Sequence, residues 1–273
     1  LSFASARQTG GFSLLLALVA VLSYAAAAIG SGERRWTTGA LVLGWVTHAA
    51  TLVLDFAGLD DAMPGAGARF GFGPVLSITA WLVLTVHAVE SRFVPLPRVR
   101  RLVAWLCAAA VLTAASFPGE PHHSTGPYWV PLHWMLGIAS YGLFGAAVMH
   151  AWMLNKADRQ LRTQVGGTGP LGLPLLRLER LMFRFVDGGF IVLTIALLLG
   201  VWSTVQWHWD HKTVFSLMGW AVFAGLVAGR HGWGWRGRLA TRWLYAGALL
   251  LLFAYIGSRF VLEVVLHRPG YGA

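Results

Sequence analysis

The chain has 273 residues, 56% hydrophobic and only 12% charged, with a formal net charge of +10. A soluble globular domain carries about 25% charged residues, so an ordinary soluble fold is excluded. The basic surplus does not point to nucleic acid, because no basic folded domain accompanies it.

The apolar residues fall in blocks long enough to cross a bilayer, which takes about 20 mostly apolar residues in a helix. Eight candidates follow in chain order. The first is Gly11–Ile29. Its single flanking Arg7 is a weak basic region for a signal peptide, so we read it as a spanning helix. Next come residues 36–57, 74–91 and 101–117, then 131–154, 184–202, 213–229 and 239–263. The third and seventh are short. Pro and Gly punctuate the gaps, as at Pro64-Gly65, Pro95, Pro97 and Pro118. No internal repeat is present, and the longest gap, residues 155–183, is too short to bury a core of its own. The expectation is a single integral-membrane domain over 1–273, an all-α polytopic transmembrane helical bundle of about eight spanning helices. In lipid the backbone must satisfy its own hydrogen bonds, so the spans are helices.

Orientation follows from basic residues, which favour the cytoplasmic side. Sixteen of the 21 Lys and Arg, among them Arg34, Arg100, Lys156 and Arg238, lie in the loops after the first, third, fifth and seventh helices. Both termini are therefore expected on the periplasmic face of a bacterial inner (plasma) membrane. Reporter fusions after Arg100 and Gly166 should read cytoplasmic, and fusions after Gly126 and at the C-terminus external. A cytoplasmic C-terminus would mean a miscounted helix.

Cys107 is the single cysteine. That excludes a disulfide frame, a thiol relay pair and a C-x-x-C-H site for covalent haem attachment. No P-loop, Ser-His-Asp order or paired carboxylate site is present, so hydrolysis and phosphoryl transfer have no basis, and the chain is not expected to be an enzyme.

One external loop, about 202–212, differs from the rest. It holds Trp202, then Trp207, His208, Trp209, Asp210, His211 and Lys212. A lone Trp there reads as an interfacial anchor. Alternating indole and imidazole rings can also hold a planar apolar cofactor by stacking. Porphyrin suits this, since imidazole ligates haem iron.

Trp207, Trp209, Asp210 and Lys212 resemble the W-x-W-D-x-K signature of the CcsA/CcmC-type, tryptophan-rich cytochrome c assembly proteins. Further stretches point to its short, eight-helix YpjD-like branch. Leu178 to Phe183, Lys212 to Leu217, Gly234 to Arg238 and Ala254 to Arg259 extend the resemblance, with Thr47-His48-Ala49 and His133 to Ser140-Tyr141 in the first half. The family's fuller signature has a Trp-Gly pair where this chain has Ser203-Thr204. The resemblance implies haem handling in cytochrome c assembly. Haem would be bound non-covalently at the external face by Trp207, Trp209, Asp210 and Lys212, with histidine on the iron. Lipid, haem, other assembly components and apocytochrome c are the implied partners, and nucleic acid is not.

An ionisable group within a membrane helix is a functional candidate by default. His48 lies mid-helix, roughly 14 Å from the external end at 1.5 Å per residue, and His133 lies near that end. Both are candidate iron ligands, with His122 and His123 as alternatives. For His48 a structural hydrogen bond to a neighbouring helix is the competing reading. His87 and His150 read as interfacial, and Asp187 as an acid at the start of the sixth helix, suited to its dipole. Two other functional classes stay open: an accessory subunit of a membrane ion transporter, with a polar path through His48, His133 and Asp55, and a membrane regulator of tetrapyrrole synthesis.

Overall fold

The computed structural model describes residues 11–30, 34–58, 68–91, 97–122, 129–163, 175–203, 209–261 and 265. Eight helices carry the fold: α1 (Gly11–Ile29), α2 (Arg34–Ala57), α3 (Phe72–Ser91), α4 (Pro97–Ser116), α5 (Trp129–Thr163), α6 (Leu175–Ser203), α7 (His211–Trp233) and α8 (Gly237–Leu252). After α8 the chain continues through a π-helical turn, Phe253–Gly257, and a last turn, Ser258–Phe260. With that extension, all eight are long and apolar enough to span a membrane. The chain is a polytopic helical membrane protein.

The helix ends depart from the hydropathy reading where helices leave the apolar layer. At 35 residues, α5 is about 52 Å long, against roughly 30 Å of hydrocarbon. Its last turns carry Lys156, Asp158 and Arg159, all tolerated in a helix, and Ala157 is buried there. The start of α6 is amphipathic in the same way, with Leu178 and Met182 buried and Arg177 and Arg180 exposed. Polar residues placed in a loop by hydropathy thus belong to helices that project beyond the bilayer. Asp187 consequently lies well inside α6 rather than in its first turn. His87 and His150 are buried rather than interfacial. His150 donates from Nδ1 to the Ala146 carbonyl one turn back, at 2.7 Å, and packs against Phe185.

A small antiparallel pairing was not expected. β1 (Ala68–Phe70) pairs with β2 (Glu120–His122), with Ala68 opposite His122. It ties the α2–α3 connection to the one after α4.

Two compact units emerge: Leu1–Pro127 with Arg259–Ala273, and Tyr128–Ser258. In the first, α1 packs on α2 and α4, and α3 on α4. Trp45 and Trp81 stack at 5.0 Å between α2 and α3, and Trp45 Nε1 donates to Thr85 Oγ1 at 2.9 Å. In the second, α5 pairs with α6, and α8 packs on both α5 and α7. Phe144 and Phe223 stack at 3.8 Å in its core. The α7–α8 link is tight because Gly234 takes a left-handed conformation, φ 64°, which costs glycine nothing, and the Trp235 N–H closes on the Gly229 carbonyl. Exposed Leu15, Leu22, Val46, Ile191 and Leu198 line the outer faces, where lipid rather than water suits them.

Candidate functional site

His48 and His133 fall in different units. His48 is fully buried. Its Nδ1 lies 3.2 Å from the Tyr24 hydroxyl of α1, and its Nε2 2.8 Å from Ser77 Oγ of α3. Both hydroxyls can donate or accept, so either neutral tautomer is satisfied. The imidazole thus cross-links three helices, and iron ligation at His48 would have to displace one hydroxyl. We expect His48→Leu to insert normally but to unfold at a lower temperature in detergent. It strands two polar groups, at about 1–2 kcal/mol in a membrane setting. Unchanged thermal stability would show that the triad carries no weight.

The second unit holds His133, Asp210 and Lys212. His133 stands one turn into α5, half-buried against α6. Its Nδ1 lies 2.6 Å from the Ala196 carbonyl. A carbonyl only accepts, so the proton sits on Nδ1 and the Nε2 lone pair is left for another partner. Gly200, one turn beyond Ala196, makes room: a Cβ there would lie 2.9 Å from His133 Cε1. From α7, the Lys212 charge acts on His133. The Lys212 ammonium also sits 5.7 Å from the centre of the Tyr255 ring, within cation–π range. Tyr141, two turns along α5 from His133, donates to the Leu251 carbonyl beside the π turn. Leu251 lies two residues before the π turn, and such turns gather at functional sites.

The Trp-rich segment enters this unit at α7. Asp210 is the N-cap, and its Oδ1 accepts from the Thr213 N–H at 2.7 Å. Burial alone would raise its carboxyl. The hydrogen bonds from the Thr213 main chain and side chain, with the charges of Lys212 and His211, outweigh that and hold it below the ordinary carboxylate value. The capping stabilisation is therefore present above the ordinary carboxylate pKa and is lost as pH falls through the depressed one. Trp209 is 71% exposed, and Trp202 at the end of α6 is 81% exposed. Trp207, His208 and His123, and the side chain of His122, lie outside the described residues. No cluster of three or more metal-type side chains occurs among the described residues.

The structure thus brings His133, Lys212 and Asp210 to one end of the second unit and leaves His48 in the first. Gly200 and the Ala196 carbonyl were missed. Tyr141 and Tyr255 had entered only as parts of resembling stretches.

Known proteins place the chain. The cytochrome c assembly protein family matches residues 11–266. The inner membrane protein YpjD of Escherichia coli K12 is 30% identical over 86% of this chain and 89% of its own. The cytochrome c biogenesis protein CcsA of Synechococcus sp. RCC307 is 32% identical over 88% of this chain and 69% of its own. A 28.8 kDa protein of Azospirillum brasilense is 27% identical over 86% of this chain and 88% of its own. No solved structure matches. A family match over nearly the whole length, on eight membrane-spanning helices, makes this chain a multi-pass inner-membrane member of the cytochrome c assembly protein family, similar to both CcsA and YpjD.

Proposed function

We propose that the protein binds or presents haem for cytochrome c assembly, at the face that carries the Trp-rich segment and that the charge bias assigns to the periplasm. The observation that carries the reading is the hydrogen bond from His133 Nδ1 to the Ala196 carbonyl. A ligating histidine is normally oriented by a partner on its other nitrogen, and here that partner is built into α6. His133 would hold the iron through Nε2. Lys212 would meet a propionate, and the exposed indole of Trp209, with Trp207, would cover the ring. Iron-bound haem supplies the prosthetic group that an apocytochrome needs, and the residues of this chain supply its orientation. An assembly component and apocytochrome c are the partners this role calls for, and the protein acts as a carrier rather than an enzyme.

The absorption spectrum of the detergent-purified protein, with and without added haem, tests this. A Soret band that saturates with haem in oxidising or reducing buffer is expected. Its absence in both would remove the reading.

One feature favours a second reading, an accessory role in ion transport. Ser77, the partner of His48, also lines a small cavity of about 20 Å³ with Ser13, Thr51 and Asp55. That is room for about one water, beside four polar side chains in an otherwise apolar part of the first unit. Ion flux in proteoliposomes without bound haem would favour it.

A further inference from the structure

The far end of the second unit holds a different kind of site. Where α5 projects beyond its apolar stretch, it lies along the first turns of α8, and the two enclose a cavity of about 260 Å³. Asn155 and Arg159 line it from α5, and Arg238, Thr241, Arg242 and Tyr245 from α8. The spacings are i, i+4 on one helix and i, i+3, i+4, i+7 on the other, so each set shares a face.

The back wall is polar and organised. Asn155 Nδ2 donates to the Tyr245 hydroxyl oxygen at 3.2 Å, and the Thr241 hydroxyl lies between the Arg238 carbonyl at 3.2 Å and Asn155 Oδ1 at 3.4 Å. With its oxygen accepting from Asn155, the Tyr245 hydroxyl keeps its own proton to donate. Asp158 pairs with Arg238 at 3.6 Å, both partly exposed. Glu179, the other nearby acid, spends one oxygen on the Gly237 N–H that starts α8. Three arginines, one of them paired with Asp158, thus line a cavity none of whose own lining residues is acidic.

Guanidiniums beside a hydroxyl donor match the oxygens of a phosphate group. Arg238, Arg242, Tyr245 and Leu249 follow at helical spacing along α8, passing from charge to hydroxyl to an exposed apolar side chain. That gradient runs as a phospholipid does, from headgroup to acyl chain. We propose that this pocket binds a phosphate group, supplied by the headgroup of an anionic phospholipid. Basic pockets between membrane helices are suited to such headgroups. The site is independent of the haem reading, since it shares no residue with it.

Native mass spectrometry of the full chain in detergent tests the site, with equimolar phosphatidylglycerol and phosphatidylcholine of matched acyl chains. The wild type should retain phosphatidylglycerol with a preference of about fivefold or more. Arg159→Gln with Arg242→Gln should lose that preference, whereas Arg159→Lys with Arg242→Lys should keep part of it. Inorganic phosphate at about 10 mM should not displace the lipid, which holds its site through acyl chains as well. Displacement by phosphate would make free phosphate the source and overturn the lipid assignment. Equal retention of the two lipids by the wild type would overturn the site itself, whether or not the Gln variant folds. So would an unchanged preference in a Gln variant with a wild-type circular dichroism spectrum.

Discussion

Replacing His133 with alanine is expected to lower haem affinity by at least ~100-fold, about 2.8 kcal/mol, with membrane insertion unchanged. Its hydrogen bond to Ala196 fixes the tautomer, so the ring presents Nε2 without an orientational search. A second variant separates orientation from ligation. Gly200→Val keeps the imidazole but puts a Cβ 2.9 Å from its Cε1, which forces the ring aside. That should cost roughly tenfold, in the range of changes to a ligand's supporting contacts. His231→Ala is the control. His231 is exposed at the end of α7 opposite Asp210 and bonds the Val227 carbonyl of its own helix, so its loss should leave binding intact. Soret titration of the purified variants is the measurement. Wild-type affinity in His133→Ala would take the iron away from this residue and return His122, His123 and His48 to consideration.

The second large effect is expected at the Trp pair. Trp207 and Trp209 are two residues apart, so on an extended segment both indoles share a face while His208 points away. Trp209 is exposed, and the next residue, Asp210, caps α7 and so fixes where the segment meets the helix. Each aromatic contact is worth about 0.5–1.5 kcal/mol beyond burial. Replacing both by alanine should therefore weaken haem binding more than tenfold, about 1.4 kcal/mol, while expression and insertion hold. Lys212, against the Tyr255 ring, is the better propionate partner, because a carboxylate at Asp210 would repel. Haem binding at wild-type strength in the double variant would leave the indoles as interfacial anchors.

The bilayer explains why the helices were legible. A span must be helical and apolar, so composition alone reveals it, and residues 11–29 were bounded correctly. Where the chain leaves hydrocarbon that constraint ends, and the projecting parts of α5 and α6 read as loop. The β1–β2 pairing involves three residues on each side, too few for an alternating pattern. At the candidate site, His133 was proposed as an ionisable residue in a membrane helix and Lys212 from its place in the Trp-rich signature. Residue type did not identify Ala196, because a backbone carbonyl is present at every position and only packing selects one. His48 was visible as a buried imidazole. Its partners Tyr24 and Ser77 lie 24 and 29 residues away, on separate helices whose rotational setting no spacing rule supplies.

The π-helical turn at Phe253–Gly257 has a consequence for register. Such a turn holds one residue more than the α-helical winding it replaces, and each residue turns an α-helix about 100°. Removing one residue from this stretch would swing the side chains of the Ser258–Phe260 turn about that far around the axis. The surplus residue thus acts as a phase shifter. It lets the part of the helix that faces Gly219 and Tyr141 with Leu251 also set Tyr255 beneath the Lys212 ammonium, two demands that an unbroken α-helix would have to meet with one fixed angle.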